Sequence, residues 1–483
     1  MGKLIAFVIY VLLGLTSVFA GSASEAELAK IRAAFPYRAP EEMLKIKEGL
    51  RILSQKEDEG DSIQEAPEPI VQVSATGPVD DILTANKHLS EYLYEGDILL
   101  SPEDVSKMIS GRSKRNTLNG ELNPRVRWET NRPIPFRIMS SIGPKTAQLI
   151  RKAVKLWEDN TCLRFQENGN ARNTTEIHFY AGDGCFSSVG KQYNSPTQTI
   201  SIRSDCGFLS IVHEIGHTLG MNHAQTRVDR DEYVYIYLGR LAPAMYQLNY
   251  EKQNNNSNYN YGVEYDYGSI MHYGPTAFSV PKGVITMEAT KNPQSNFKTM
   301  GQRTDFAFSD IWLVNLHHKC IDKCAAYRTQ CQNGGFPDPK NCWNCKCPAG
   351  FAGRFCDQRH QGDDPQRCGK TVVATQTWQT LNGTIGKPYY GDIPPMRCYF
   401  HIIAPQGSKI RIRLTKIGTK FCGDNCFLGH TEFKMGDPRY YGFRFCCASD
   451  AHNQEFQSEQ NRVVISMMSA WEYQNFVIDY QLI

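Results

Sequence analysis

The stretch that decides the fold is His213-Glu214-Ile215-Gly216-His217-Thr218-Leu219-Gly220-Met221-Asn222-His223. Its first part lies in a segment, 209–219, whose composition predicts a helix. Two histidines four positions apart lie on one face of a helix, so their imidazoles can bind one metal ion. Gly220 can end the helix with a positive φ, which would bring in His223 as a third ligand. Three neutral imidazoles and one position left open for water are typical of a catalytic zinc site, whereas a structural site fills all four positions.

The neighbouring carboxylate suits hydrolysis. Glu214 follows the first histidine, where it can take a proton from a metal-bound water without itself being a ligand. A second motif, Ser269-Ile270-Met271-His272-Tyr273, lies further along the chain.

Together, the two motifs resemble the astacin family of metzincin zinc endopeptidases. The resemblance implies one zinc ion per subunit, bound by His213, His217 and His223. It also implies that Met271 lies in a tight turn beneath the zinc. In that family the tyrosine is an additional zinc ligand that moves away and stabilises the transition state, and the resemblance gives Tyr273 both roles.

The resemblance extends to residues 21–115, expected to be a propeptide, which contain no cysteine. Tyr94-Glu95-Gly96-Asp97 resembles the family's aromatic-x-Gly-Asp latch, whose aspartate coordinates zinc in place of the catalytic water. We therefore expect Asp97 to keep a zymogen inactive until cleavage after Arg115. The basic run Arg112-Ser113-Lys114-Arg115 suits a proprotein convertase, although a surface charge run is the alternative. Matrixins, another metzincin family, use a cysteine thiolate as the latch, which this segment lacks.

Residues 1–20 predict a secretory signal peptide. Lys3 precedes an apolar run at 4–15, and Val18-Phe19-Ala20 supplies small residues for cleavage. A membrane anchor would need about 20 apolar residues, and no later stretch approaches that length. We expect a secreted, extracellular protein without a membrane span, with glycosylation acceptors at Asn173, Asn255 and Asn382.

Composition agrees with an extracellular protein of several domains. A length of 483 residues predicts two to four folded units. The near balance of 53 basic and 50 acidic residues argues against a nucleic-acid binder. The 16 cysteines, none of them before Cys162, predict a disulfide framework formed in an oxidising compartment.

The remaining chain divides by pattern. Residues 116–320 have the size of one enzyme domain. Residues 321–357 are rich in cysteine and too few to bury enough apolar surface to fold without cross-links. Residues 368–483 alternate apolar and polar residues as half-buried strands do. The last two parts resemble an EGF-like module and a CUB domain. The expected fold class is a multidomain protein with an α+β metzincin catalytic domain, a small disulfide-rich EGF-like module and an all-β CUB sandwich. The acidic constellation of calcium-binding CUB domains is not evident.

The resemblance also implies disulfide pairs. They are Cys162–Cys320 and Cys185–Cys206 in the protease, Cys324–Cys342, Cys331–Cys345 and Cys347–Cys356 in the EGF-like module, and Cys368–Cys398 in the CUB domain. The pairing of Cys422, Cys426, Cys446 and Cys447 stays open.

Two features bear on specificity and activation. Met300-Gly301-Gln302-Arg303 resembles a segment that in several astacins places an arginine at the pocket for the residue after the scissile bond. A guanidinium there favours Asp or Glu in the substrate, whereas a surface ion pair is the alternative role for Arg303. Family members usually follow the third histidine with Glu-Gln, and the glutamate holds the mature N-terminus. This chain has Ala224-Gln225 and so departs from the family at that contact.

These observations predict a secreted zinc-dependent endopeptidase, made as a zymogen, that cleaves extracellular protein substrates. The alternative is a non-catalytic extracellular adaptor that binds partners through its EGF-like and CUB modules. The intact set of histidines and Glu214 favours the enzyme, since decay usually removes a ligand or the base.

Overall fold

A computed structural model describes most of the chain after the first 22 residues. The described residues are 23–55, 81–110, 120–241, 248–254, 258–387, 395–418, 422–423, 426–451, 454–470 and 473–483. The expected signal peptide, the cleavage position Arg115 and the sequon at Asn255 lie outside these residues. We call 23–110 the leader, 120–320 the central domain, 321–359 the cysteine-rich module and 368–483 the C-terminal sandwich.

The leader is helical. Its described residues form four helices, α1 (Glu25–Ala34), α2 (Pro40–Ser54), α3 (Asp81–Asn86) and α4 (Pro102–Ile109). Ser24 caps α1 by accepting the Glu27 N–H at 3.1 Å, and Ser101 forms a capping box with Asp104 at the start of α4. The sequence at 26–34 and 41–53 is helix-like and predicts two helices there, which α1 and α2 confirm.

The central domain contains a five-stranded sheet and long helices. Its elements in chain order are β1 (Ile134–Ile138), α5 (Pro144–Asn160), β2 (Phe165–Glu167), β3 (Glu176–Tyr180), β4 (Phe186–Ser187), β5 (Thr197–Ser201), α6 (Phe208–Thr218), β6 (Val234–Ile236), β7 (Met287–Ala289), α7 (Pro293–Asn296) and α8 (Phe308–His317). The sheet order is β2-β1-β3-β5-β4, and β4 alone among these strands is antiparallel to its neighbour. β6 and β7 form a separate antiparallel pair.

Apolar residues recur at helical spacing at 147–157, which predicts a helix that α5 confirms, and α6 confirms the helix predicted at 209–219. The following segment, from Cys162 to Phe165, has a strand-like sequence, but the strand starts only at Phe165. The physical reason is that Cys162 is bonded to Cys320, while the Leu163 N–H turns to the Thr161 hydroxyl at 3.3 Å.

Two buried tryptophans fix the position of α6. The indole N–H of Trp157 donates to Val212 O at 2.9 Å, and that of Trp128 donates to Thr218 O at 2.8 Å. Both acceptors are carbonyls of α6, so the helix is held in its middle and at its C-terminal end.

The remaining strands build two smaller units. The cysteine-rich module has two hairpins, formed by β8 (Phe336–Asp338), β9 (Asn341–Lys346), β10 (Phe351–Ala352) and β11 (Gln358–Arg359). The C-terminal sandwich contains β12 (Thr371–Val373), β13 (Gln379–Gly386), β14 (Met396–Ile403), β15 (Ile410–Gly418), β16 (Gly429–Lys434), β17 (Phe443–Phe445), β18 (Gln454–Gln457), β19 (Arg462–Ser469) and β20 (Tyr473–Leu482). Its two sheets have the orders β12-β14-β19-β16-β17 and β13-β20-β15-β18. The expected fold class, an α+β domain followed by a small disulfide-rich module and an all-β sandwich, is confirmed.

All sixteen cysteines lie among the described residues, and they form eight disulfides. These include the six pairs that the resemblance implies. The order left open by the sequence is Cys422–Cys447 and Cys426–Cys446. Within the described part of the chain, we find no helix with the length and apolar character that a bilayer crossing requires.

Candidate metal centre

The three histidines of the sequence motif converge. His213 and His217 lie on α6, and Gly220, with a φ of 106°, turns the chain so that His223 returns beside them. The ring centroids of the three imidazoles are 4.6, 4.7 and 5.3 Å apart, and all three side chains are fully buried. A Cβ at Gly220 would lie 2.7 Å from His317 Nε2, so both the turn and the close approach require glycine.

In each of the three rings, hydrogen bonding involves Nδ1, the outer nitrogen, which does not face the Asp97 carboxylate. Nδ1 of His213 donates to Ile270 O, and Nδ1 of His217 donates to Met221 O, both at 2.8 Å. Because a carbonyl oxygen only accepts, we assign the proton to Nδ1 in both rings, which leaves a lone pair on each Nε2. Nδ1 of His223 lies 2.8 Å from a carboxylate oxygen of Glu95 in the leader.

The inner nitrogens face the carboxylate of Asp97. Its Oδ2 lies 3.2 Å from Nε2 of both His213 and His223, and its Oδ1 lies 3.4 Å from Nε2 of His217. His217 Nε2 and Asp97 Oδ1 are buried and have no hydrogen-bond partner. Lone pairs and a carboxylate repel one another at these distances unless a cation lies between them. Three imidazoles and one carboxylate, with ligand atoms within 4.8 Å of one another, fit a zinc ion.

The electrostatics of the cluster agree with this assignment. Although burial lowers it, the charge of Asp97 and the hydrogen bonds to Asp97 and Glu95 raise the pKa of His223 to about 9. The surroundings of His223 therefore favour a positive charge. A divalent cation at Nε2 supplies that charge without protonation of the ligand.

A short extended segment of the leader carries Asp97 into the site. Ile98 forms a parallel bridge with Ser187 on β4, and the Ser187 N–H donates to Asp97 O at 3.1 Å. The Asn86 amide donates to Gly96 O at 2.9 Å and to Cys185 O at 2.6 Å. The leader thus lies along the edge of the central sheet, held by main-chain contacts with β4 and by the side chain of Asn86.

Met271 and its turn support the ligands from below. Met271 is 1% exposed, and a Cβ on Gly216 would lie only 3.2 Å from its Sδ. Asp310 on α8 accepts the Ser269 hydroxyl at 2.6 Å and the Ile270 N–H at 2.8 Å. Since Ile270 O accepts the Nδ1 proton of His213, Asp310 supports that ligand through the turn.

Tyr273 contacts the leader in this structure. Its hydroxyl donates to Glu95 O, and its ring centroid lies 4.7 Å from that of His223. Its main-chain N–H donates to the Gln225 side-chain oxygen at 3.1 Å. Tyr273, which the resemblance makes an additional zinc ligand, therefore lies beside the histidine cluster, and its hydroxyl is hydrogen-bonded to the leader.

Glu214 and Arg303 flank the ligands. Glu214 is fully buried on α6, and its main-chain oxygen accepts the Ser187 hydroxyl at 2.9 Å. Arg303 Nη1 donates to Gln302 O at 2.9 Å and to His272 O at 3.3 Å. Burial lowers the pKa of His213 to about 3, and the nearby His217 and Arg303 act in the same direction. The Arg303 charge therefore acts on the ligand cluster.

The described sequons are accessible. Asn173 is exposed in a loop before β3, and Asn382 is exposed on β13. Neither residue belongs to the cluster of Asp97, His213, His217 and His223.

Three residues at the centre were not singled out from the sequence. Glu95 occupies the variable position of the latch motif, so the motif itself carried no signal for it. Asp310 and Gln225 act on the Met271 turn and on Tyr273 through the tertiary fold. Gln225 lies two residues after His223, and this closeness to the third ligand could have identified it. Asp310 had no such local signal.

Comparisons with known proteins show what this chain is similar to. A family model described as Astacin, a peptidase family, matches residues 120–319. Zinc metalloproteinase nas-28 of Caenorhabditis elegans is 32% identical over 409 residues, which cover 82% of this chain and 80% of that protein. Zinc metalloproteinase nas-31 of the same organism is 34% identical over 414 residues, but the chain spans only 64% of its length. Among solved structures, high choriolytic enzyme 1, a hatching enzyme zinc-protease from Oryzias latipes, is 32% identical with a TM-score of 0.37, covering 41% of this chain and 96% of that one.

Proposed function

The chain belongs to the astacin family of zinc metalloendopeptidases, and on that premise we propose that it is secreted as an inactive precursor of such an enzyme. The observation that carries the proposal is the contact of Asp97 with all three histidines. The proposed division is a signal peptide at 1–20, a propeptide at 21–115, a protease at 116–320, an EGF-like module at 321–357 and a CUB domain at 368–483.

His213, His217 and His223 would hold the zinc, and Asp97 would be a fourth ligand while the leader is present. Zinc at this position would supply a Lewis acid that makes a water molecule more acidic. The Nδ1 contacts of His213 and His217 keep their Nε2 atoms directed at the site. Burial of all three rings excludes bulk water from the ligand atoms.

Proton transfer is the role of Glu214. Its carboxylate takes the proton of the attacking water and passes it to the leaving amine. Removal of the leader takes away Glu95 O, the acceptor of the Tyr273 hydroxyl. That hydroxyl then donates to the oxyanion that forms at the scissile carbonyl.

Activation is the removal of the leader after Arg115 by a proprotein convertase. Asp97 occupies the position of the catalytic water, so the precursor lacks the nucleophile until the leader leaves. Secretion is supported by the eight disulfides, because such frameworks persist in oxidising compartments. Glycosylation at Asn173, Asn255 and Asn382 belongs to the same proposal.

We further propose that Arg303 favours Asp or Glu after the scissile bond. Its charge acts near His213, and a guanidinium binds a carboxylate through paired, charge-assisted hydrogen bonds. Peptide-library profiling of the active enzyme should show acidic residues enriched at that position, and less so for Arg303→Ala. A profile with only apolar residues there would refute the preference.

Substrates are extracellular proteins, and the EGF-like and CUB modules position the protease on them. The C-terminal sandwich is docked on the central domain, where Arg397 pairs with Asp305 at 2.7 Å. Asp305 lies two residues after Arg303, so the sandwich is close to the proposed substrate pocket.

The function is tested with casein and the leader-free protein. Zinc-loaded wild type should cleave casein, and a zinc chelator should abolish cleavage. Glu214→Gln should retain zinc and lose activity by about 10²- to 10⁴-fold, the range typical of a general base. Retained turnover in Glu214→Gln would refute the role of this residue, and cleavage that survives chelation would refute the zinc mechanism.

A further inference from the structure

The three zinc-binding histidines differ in what holds their outer nitrogens. For His213 and His217 the acceptors at 2.8 Å are carbonyls of Ile270 and Met221, both in the central domain. For His223 the acceptor at 2.8 Å is the Glu95 carboxylate of the leader. Only this third partner is charged, and only this one leaves with the leader.

The structure holds Glu95 firmly in place. Its N–H donates to Leu248 O at 3.0 Å, and its main-chain oxygen accepts the Tyr273 hydroxyl. Its carboxylate also lies 3.4 Å from the Thr226 hydroxyl, which donates to His223 O at 3.0 Å. Glu95 is 1% exposed, and it adopts a φ of 47°, which non-glycine residues seldom adopt. A buried carboxylate in such a conformation requires compensating contacts, and the imidazole N–H of His223 supplies one.

The leader therefore contacts His223 on both sides. Asp97 Oδ2 lies 3.2 Å from Nε2, and Glu95 Oε2 lies 2.8 Å from Nδ1. A carboxylate that accepts the Nδ1 proton makes the imidazole a more basic ligand than a carbonyl does.

We propose that Glu95 is a positioning residue that strengthens zinc binding by His223 in the precursor, and that this support is withdrawn when the leader leaves. The inference rests on the proposed zinc site. It adds that the leader carries two zinc-directed carboxylates: Asp97 occupies the water position, and Glu95 acts through His223. Loss of Glu95 on activation leaves a less basic third ligand, which makes the bound metal a stronger Lewis acid in the mature enzyme.

The test is the rate at which the full-length chain releases zinc to a chromogenic chelator. Glu95→Gln keeps an oxygen acceptor but loses the charge, and Glu95→Ala loses both. We expect zinc release to be slowest in wild type, faster in Glu95→Gln and fastest in Glu95→Ala. Release from Glu95→Ala should be about 10- to 100-fold faster than from wild type. Glu103→Ala, which removes an exposed leader carboxylate on α4, is the matched control and should match wild type.

A second readout separates ligand tuning from a loosened leader. Cobalt(II)-loaded full-length Glu95→Gln should show a shifted visible absorption band, while its leader is removed by added protease at the wild-type rate. If both Glu95 variants release zinc at the wild-type rate and show the wild-type cobalt spectrum, the inference is overturned and the enzyme proposal still stands. Leader proteolysis accelerated as much as zinc release would also overturn it. A wild-type chain that binds no zinc would refute the proposed function itself.

Discussion

At the scale of single residues, the metal centre is largely determined by local sequence. The spacing of His213 and His217 fixes their common helix face, and Gly220 turns the chain so that His223 joins them. The Met271 turn, by contrast, depends on Asp310, which no local pattern identified. Asp310 accepts hydrogen bonds from Ser269 and Ile270 only because α8 packs against this turn. Such a contact depends on the tertiary fold, and the sequence alone does not contain it.

Asp310 predicts a pH dependence of stability. Burial raises its pKa to about 7 from an ordinary value of 3.8, so the folded state favours the protonated form. The stabilisation is therefore complete below pH 3.8 and is lost as the pH rises towards 7. We expect Asp310→Asn to lack this loss, so that its free energy of unfolding falls less than that of wild type between these two pH values.

The measurement is urea unfolding followed by tryptophan fluorescence at several pH values. Asp322→Asn, at an exposed position, is the control and should follow wild type throughout. The decisive quantity is how steeply the free energy of unfolding changes with pH. Asparagine keeps only one of the two acceptor oxygens, so Asp310→Asn is less stable than wild type at every pH. Parallel curves for wild type and Asp310→Asn would contradict it.

At the scale of elements, the helices and the β-sandwich follow from periodicity. α5 and α6 have the expected helical patterns. Apolar and polar residues alternate at 409–414 and 476–480, which predicts half-buried strands, and these stretches lie in β15 and β20. The strand begins at Phe165 and not at Cys162, because a disulfide, which periodicity does not encode, holds Cys162 outside the sheet. The order of the last four cysteines was undecidable for a related reason. Cys446 and Cys447 are adjacent, so spacing cannot say which bonds to Cys422.

The end of α6 provides a test at this scale. Gly220→Ala would place a Cβ at a φ of 106° and 2.7 Å from His317 Nε2. We expect a loss of about 1–3 kcal/mol in the free energy of unfolding, from backbone strain, with weaker zinc retention because His223 is displaced. Gly239→Ala is the control, since nothing lies within 4 Å of a Cβ there. Equal melting temperatures and zinc contents for the two variants would refute this explanation of the turn.

At the scale of the whole molecule, the leader and the C-terminal sandwich both contact the central domain. The C-terminal sandwich holds the segment around Arg303: Arg444 donates to the Thr304 hydroxyl at 2.8 Å, and Lys298 pairs with Asp450 at 2.7 Å. None of these contacts was predictable from the sequence, because each joins residues more than a hundred positions apart and carries no motif. The approach of Asp97 to the histidines was predictable only because the latch resembles that of a known family.

The central claim is that Asp97 keeps a complete zinc site inactive, and one measurement tests it most directly. It is the hydrolysis of a fluorogenic peptide by the uncleaved, zinc-loaded full-length chain. We expect wild type to be inactive. Asp97→Ala should hydrolyse the peptide with its leader still attached, more slowly than the leader-free enzyme because the Tyr273 hydroxyl still donates to Glu95 O, and Glu214→Gln in the same chain should abolish the reaction. An Asp97→Ala chain that binds zinc, keeps its leader and stays as inactive as wild type would contradict the account.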